Sequence, residues 1–100
     1  MLQIEELNIE GVNTQGILVK EPGGEGHPNM IIVNCKNGYL MCGYLNMAAS
    51  EKFGDAAVLV GGADFDAVLS NLIKGMTPAA AELGVKEGMT GAQAAAVLNA

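Results

Sequence analysis

The sequence predicts an α+β fold, a mostly antiparallel sheet of about five strands with three to four short helices, mainly C-terminal, packed on it. Two observations carry that expectation. Up to about Leu45, apolar residues alternate with polar ones between turn residues; beyond Asn46 they recur at helical spacing, behind Asn, Asp and Thr residues placed as helix caps. With 100 residues the chain has the size of one ordinary domain, expected to span 1–100, and can bury roughly two thirds of its unfolded surface without help from a disulfide or a metal.

Leu2, Ile4, Leu7 and Ile9 form a first strand whose apolar phase slips at Glu5-Glu6, and a turn at Glu10-Gly11 leads into a second, Val12 to Lys20. The phase slips again at Gly16, which predicts a β-bulge: one extra residue swaps the faces, and glycine tolerates the backbone this requires. EPGGEGHPN, residues 21–29, has two prolines, three glycines and little to pack, so it reads as an exposed loop dispensable for folding. Met30 to Cys35 and Tyr39 to Leu45 follow as strands joined across Lys36-Asn37-Gly38, since Asn-Gly between apolar runs is a strong hairpin signal. A two-residue Asn37-Gly38 loop sets Cys42 opposite Val33 and gathers Ile31, Val33, Cys35, Leu40, Cys42 and Tyr44 on one face. Both thiols are then core atoms, beyond disulfide reach. A three-residue loop with Gly38 as a bulge would instead part the cysteines to opposite faces.

Asn46 caps a short helix over MAASEKF, and Ala56 to Gly61 is a buried strand. A helix starts at Asp64, with Phe65, Val68, Leu69, Leu72 and Ile73 on one face, and stops at Gly75. Gly75-Met76-Thr77-Pro78-Ala79 and Gly88-Met89-Thr90-Gly91-Ala92 echo one another as two helix starts built alike. Thr77 and Thr90 are the caps, Pro78 sits at the first helical position, and Gln93 completes a capping box with Thr90.

Composition excludes several functions. Eleven acidic residues stand against five lysines, with no arginine, for a net charge of −6. The lysines are spread evenly, so there is no basic stripe to neutralise a nucleic acid and no guanidinium fork for phosphate or carboxylate. No apolar run is long enough to span a membrane, and MLQIEELNIEG lacks the basic start and apolar centre of a signal peptide, so a cytoplasmic location is expected, with Cys35 and Cys42 as free thiols. Half the residues are hydrophobic and the mean hydropathy is +0.29, more apolar surface than a lone small domain hides easily; a homo-oligomer, most simply a dimer, is expected. The six methionines, from Met1 to Met89, are scattered and read as core filling.

Cys42 is the most conspicuous candidate for chemistry. A reactive cysteine needs a neighbouring base or cation, or a helix N-terminus, to favour its thiolate. Asn46, the next cap, is four strand residues away, roughly 13 Å, and the only imidazole, His27, is about 20 Å away if the chain stays extended. One His and two Cys with six residues between them have no zinc spacing. Asp64 and Asp66 are better placed to cap and stabilise a helix start than to hold a cation. Gly61-Gly62 lacks the further glycine and lysine of a phosphate loop. No metal and no cofactor are expected.

The segment Gly38-Tyr39-Leu40-Met41-Cys42-Gly43-Tyr44-Leu45-Asn46, an Ala-rich strand ending in Gly, and a closing Leu83-Gly84-Val85 with Gly88-Met89-Thr90-Gly91 together resemble the YunC-like family, small bacterial and archaeal proteins classed as a domain of unknown function. The resemblance covers nearly the whole chain and implies one α+β domain, but no reaction and no catalytic residues. The chain departs from the family pattern in its longer EPGGEGHPN loop and at Asn46, where an acidic residue is expected. Two readings of function follow. The first is a non-enzymatic domain that self-associates and binds a small ligand or a protein around Cys42, Gly43, Tyr44 and Asn46. The second is a thiol-dependent enzyme or redox sensor using Cys42, with Tyr39, Tyr44, Asn46 or His27 as helpers. The scarcity of groups that would favour a thiolate supports the first.

Overall fold

The computed structural model describes residues 2–100; Met1 lies outside them. Six strands form one sheet in sequence order: β1 (Leu2–Ile9), β2 (Val12–Val19), β3 (Met30–Asn34), β4 (Tyr39–Met41), β5 (Ala57–Leu59) and β6 (Gly75–Met76). Every neighbouring pair is antiparallel except β4 and β5, which are parallel. Four short helices complete the chain, α1 (Met47–Lys52), α2 (Phe65–Ser70), α3 (Pro78–Leu83) and α4 (Gly91–Leu98). The α+β architecture is as the sequence predicts, with one strand more than expected.

That extra strand is β6. The helix beginning at Asp64 stops at Ser70, not at Gly75, because Asn71 turns extended and its side-chain amide donates to the Gly61 carbonyl at 2.9 Å. The chain then returns to the sheet, where the Lys74 N–H bonds Leu59 and Gly75-Met76 pair with Val58-Leu59. The helix caps are as read: Asn46, Asp64, Thr77 and Thr90 each accept from the first turn, Pro78 opens α3, and Thr90 with Gln93 forms the reciprocal box.

There is no slip at Glu5-Glu6 and no bulge at Gly16. The β1–β2 pairing runs unbroken from Leu2↔Val19 to Ile9↔Val12, through Glu10-Gly11 with positive φ at both turn residues. β1 is an edge strand exposed along most of its length, so its apolar phase does not report a buried face. Gly16 is needed for packing: a Cβ there would stand 2.8 Å from both the Phe65 ring and the Leu7 methyl. The missing side chain at Gly16 makes the berth for Phe65.

The β3–β4 hairpin differs in register but not in facing. Its turn residues are Lys36 and Asn37, with the Cys35 N–H bonded to the Gly38 carbonyl, so Cys42 comes opposite Ile31 and not Val33. Tertiary contacts set this register. The Asn37 N–H bonds Leu98, the Lys36 N–H bonds the Asn99 side chain, and a side chain on Gly38 would run into the Ala56 carbonyl. The shift is even in parity, so Ile31, Val33, Cys35, Leu40 and Cys42 do share one buried face. Tyr44 leaves that set, because β4 ends at Met41.

This closed face is covered by α2, α3 and α4, whose Phe65, Val68, Ala80, Ala94, Ala95 and Leu98 make one core with Val33, Leu40, Val58 and Val60. Near the C-terminus, Asn99 is itself buried; its amide donates to Thr14 of β2 at 2.9 Å while its carbonyl oxygen accepts from Lys36 at the β3–β4 turn. The opposite face is open over β1, β2 and β3, and α1 covers only its β4–β5 end, where Met41 is buried. Of the methionines described, Met41 is buried, Met76 and Met89 pack against the core, and Met30 and Met47 are partly exposed.

Candidate functional site

The one parallel pair locates the site. After β4 the chain crosses the open face as α1, where Ser50 meets Tyr39 and Met41; after β5 it crosses the closed face as α2, whose Phe65 and Val68 enter the core. Two adjacent parallel strands whose exits part to opposite faces leave a crevice at their carboxyl ends, the place where open sheets with parallel strands take their ligands. Here it is a crevice of about 410 Å³, with Cys42, Gly43 and Tyr44 on one side, Gly61 and Gly62 on the other, and Pro28 and Asn29 closing it.

Each wall is held by its own bonds. The Asn29 amide donates to the Ala63 carbonyl at 2.8 Å, while its oxygen accepts from the Glu21 N–H at 3.0 Å. The Tyr44 hydroxyl donates to the Pro28 carbonyl at 3.2 Å. The segment expected to be a free loop is therefore anchored at its end and supplies part of the site. Gly62 is required for close approach, since a Cβ would come within 2.7 Å of the Val68 backbone nitrogen in α2. A Cβ on Gly43 would meet nothing within 4 Å, leaving that wall open to a ligand.

Cys42 sits at the bottom, 6% exposed, its Sγ accepting the Ile31 N–H at 3.4 Å. Its expected burial is observed, but it borders a cavity and stands outside the core cluster. His27 does not join it: the imidazole lies in the loop against Gly23, where a Cβ would be 2.7 Å from Nδ1. Cys35 lies four residues beyond Ile31, just past β3 at the turn of the hairpin, and both cysteines are free. Burial pushes the Cys35 thiol up to about 11. Lys74 brings a cation to the rim, its Nζ 3.0 Å from the place a Gly61 Cβ would take. Among the described residues no three His, Cys, Asp or Glu side chains gather as for a metal ion, and no helix is long and apolar enough to cross a membrane.

Asn46 belongs elsewhere. Its side-chain oxygen accepts from the Ala48 and Ala49 N–H groups at 2.9 and 3.3 Å, capping α1, and it borders a second groove of about 340 Å³ on the open face. That groove contains a polar chain missed by the sequence reading: the Tyr39 hydroxyl donates to Asp55 at 2.8 Å and lies 2.6 Å from the Ser50 hydroxyl. Burial, with Asp55 nearby, raises the Tyr39 phenol above its usual value against the opposing Ser50 hydrogen bond. The chain ties α1 to β4 and holds Asp55 at the start of β5. The structure thus brings Cys42, Gly43 and Tyr44 together with Pro28, Asn29, Gly61 and Gly62, and leaves Asn46 out.

A family model described as a domain of unknown function, DUF1805, matches residues 41–98. The chain belongs to the DUF1805 family. It is 32% identical to the uncharacterised protein YunC of Bacillus subtilis, with 94% of each chain covered. Its fold superimposes with a TM-score of 0.86 on the crystal structure of a protein of unknown function from Thermoplasma acidophilum, 31% identical, covering 98% of this chain and 93% of that one. The DUF1805 segment begins at Met41 and so includes both glycine-bearing walls of the crevice; Pro28 and Asn29 lie outside it.

Proposed function

We propose that this protein is a non-enzymatic, self-associating domain that holds a small ligand in the crevice at the carboxyl ends of β4 and β5. The observation that carries the reading is the crevice itself, about 410 Å³ at the point where the exits of two parallel strands diverge. Its walls suit recognition by shape: peptide groups of Gly43, Gly61 and Gly62, the Tyr44 ring and Pro28, with the Cys42 thiol beneath. Among the described residues the Cys42 Sγ is hydrogen-bonded by a backbone N–H, with no imidazole or carboxylate hydrogen-bonded to it, so the constellation of an activated nucleophile is not assembled.

A library of small fragments, observed by ligand-detected NMR on the wild type and on Gly43→Leu, tests the reading. A Cβ at Gly43 meets nothing within 4 Å, so the substitution adds bulk at the crevice wall without a clash at that atom. Fragments that bind the wild type should lose at least tenfold in affinity for Gly43→Leu and keep it for Leu83→Lys, an exposed position on α3 outside the crevice. Fragments bound equally well by Gly43→Leu would place the ligand elsewhere. A processed substrate whose turnover vanished in Cys42→Ala would favour the thiol enzyme instead.

A further inference from the structure

Two apolar rows cross the open face of the sheet. Cross-strand pairing aligns Ile4, Ile17 and Ile32 in one row and Leu2, Val19 and Met30 in the next. Leu2 and Ile4 are each 60% exposed. Past Ile32 the first row leads into the groove beside α1, where Phe53 stands 76% exposed. In a chain with eleven acidic residues, this face of β1, β2 and β3 carries one charged side chain, Glu6. Depletion of charge around an apolar centre is what separates an interface from ordinary surface.

We infer that this face is where two copies of the chain pair about a two-fold axis, the Phe53 of each copy packing on the Leu2 and Ile4 end of the other. The shape of the face selects a second copy. It is flat at its β1 end and raised at its α1 end, so a two-fold axis lying between the copies, parallel to the strands and over Ile17 and Ile32, sets each raised end on the partner's flat end, and the contact closes on itself. Charge agrees. Lys52 adjoins Phe53, and Glu6 follows Ile4 on the same face, so the rotation that seats Phe53 brings Lys52 towards the acidic residue of the partner. The surface is separate from the crevice and rests on the self-association proposed above.

Sedimentation equilibrium of the full chain tests both. The wild type should have twice the 10.3 kDa chain mass at micromolar concentration. Ile4→Lys and Phe53→Asp, both at exposed positions, should each weaken self-association at least tenfold, while Leu83→Lys on α3, at a side chain 47% exposed, should leave it unchanged. Glu6→Lys and Lys52→Glu should each weaken it several-fold, and the double exchange should restore it. A dimer indifferent to Ile4→Lys and Phe53→Asp would overturn this surface while self-association stood. A wild type monomeric to hundreds of micromolar would overturn both and leave the face to a different protein.

Discussion

Cys35 and Cys42 are the same residue type, on the same face of the same hairpin, and both are buried. They differ in what surrounds them. Cys35 is part of the core cluster with Ile9, Val33, Leu40 and Leu98, and burial alone moves its titration to about 11. Cys42 sits outside that cluster, bound by a backbone N–H and bordering a cavity between two strand exits. Fractional exposure, 9% against 6%, does not separate them, and Cys35 too borders a recess, one of about 340 Å³ beside the β3–β4 turn. What separates the two thiols is their neighbours: apolar core side chains around Cys35, and glycine-lined strand exits around Cys42.

The largest test of this contrast introduces a charge at each position. Cys35→Asp should cost on the order of 3–5 kcal/mol, since the carboxylate is set among apolar core side chains with no partner. Cys42→Asp should cost measurably less, because its carboxylate can turn into the crevice; equal losses by chemical denaturation would erase the distinction.

Alkaline titration comes next. The folded protein holds the Cys35 proton to about 11 while an ordinary thiol releases it near 9.0. Its contribution is therefore complete below pH 9 and is lost as pH rises through 11, a fall on the order of 1–2 kcal/mol after solvent screening that Cys35→Ala should flatten. Tyr39, also raised, acts in the same direction and should leave a residual slope in that variant. A wild-type profile that is level between pH 9 and 11 would contradict the burial of Cys35. The smallest effect is truncation: Cys42→Ala should cost about 1 kcal/mol, and Cys35→Ala somewhat more, because the atoms it removes belong to the core cluster.

Local signals were legible in the sequence. The four helix caps, the Glu10-Gly11 turn and the facing of the hairpin were read from residue types and spacing, and they survive because caps and parity depend on a few neighbouring residues. Readings failed where a distant residue decides. Gly16 looks like a bulge until Phe65, far along the chain, fills its space. The hairpin register answers to Leu98 and Asn99, and β6 exists because Val58 and Leu59 need an edge partner. Half of the site shared this fate. Cys42, Gly43 and Tyr44 adjoin in sequence and line the crevice together; Gly61 and Gly62 face them through the parallel pairing of β4 with β5, for which the sequence carries no local sign. Asn46 is close to Cys42 along the chain, yet as the cap of α1 it borders the other groove.

The bond between Asn99 and Thr14 spans 85 residues. On a ribosome adding about 5–20 residues each second, Thr14 emerges long before its partner exists. Until then β2 and the β3–β4 turn present polar groups and an uncovered apolar face to the surroundings, with α4 still unmade. Closure of the core is thus a late event, set by synthesis and by the slow search that long-range contacts require. Nascent chains of this protein pass through an interval in which that uncovered apolar face is open to aggregation.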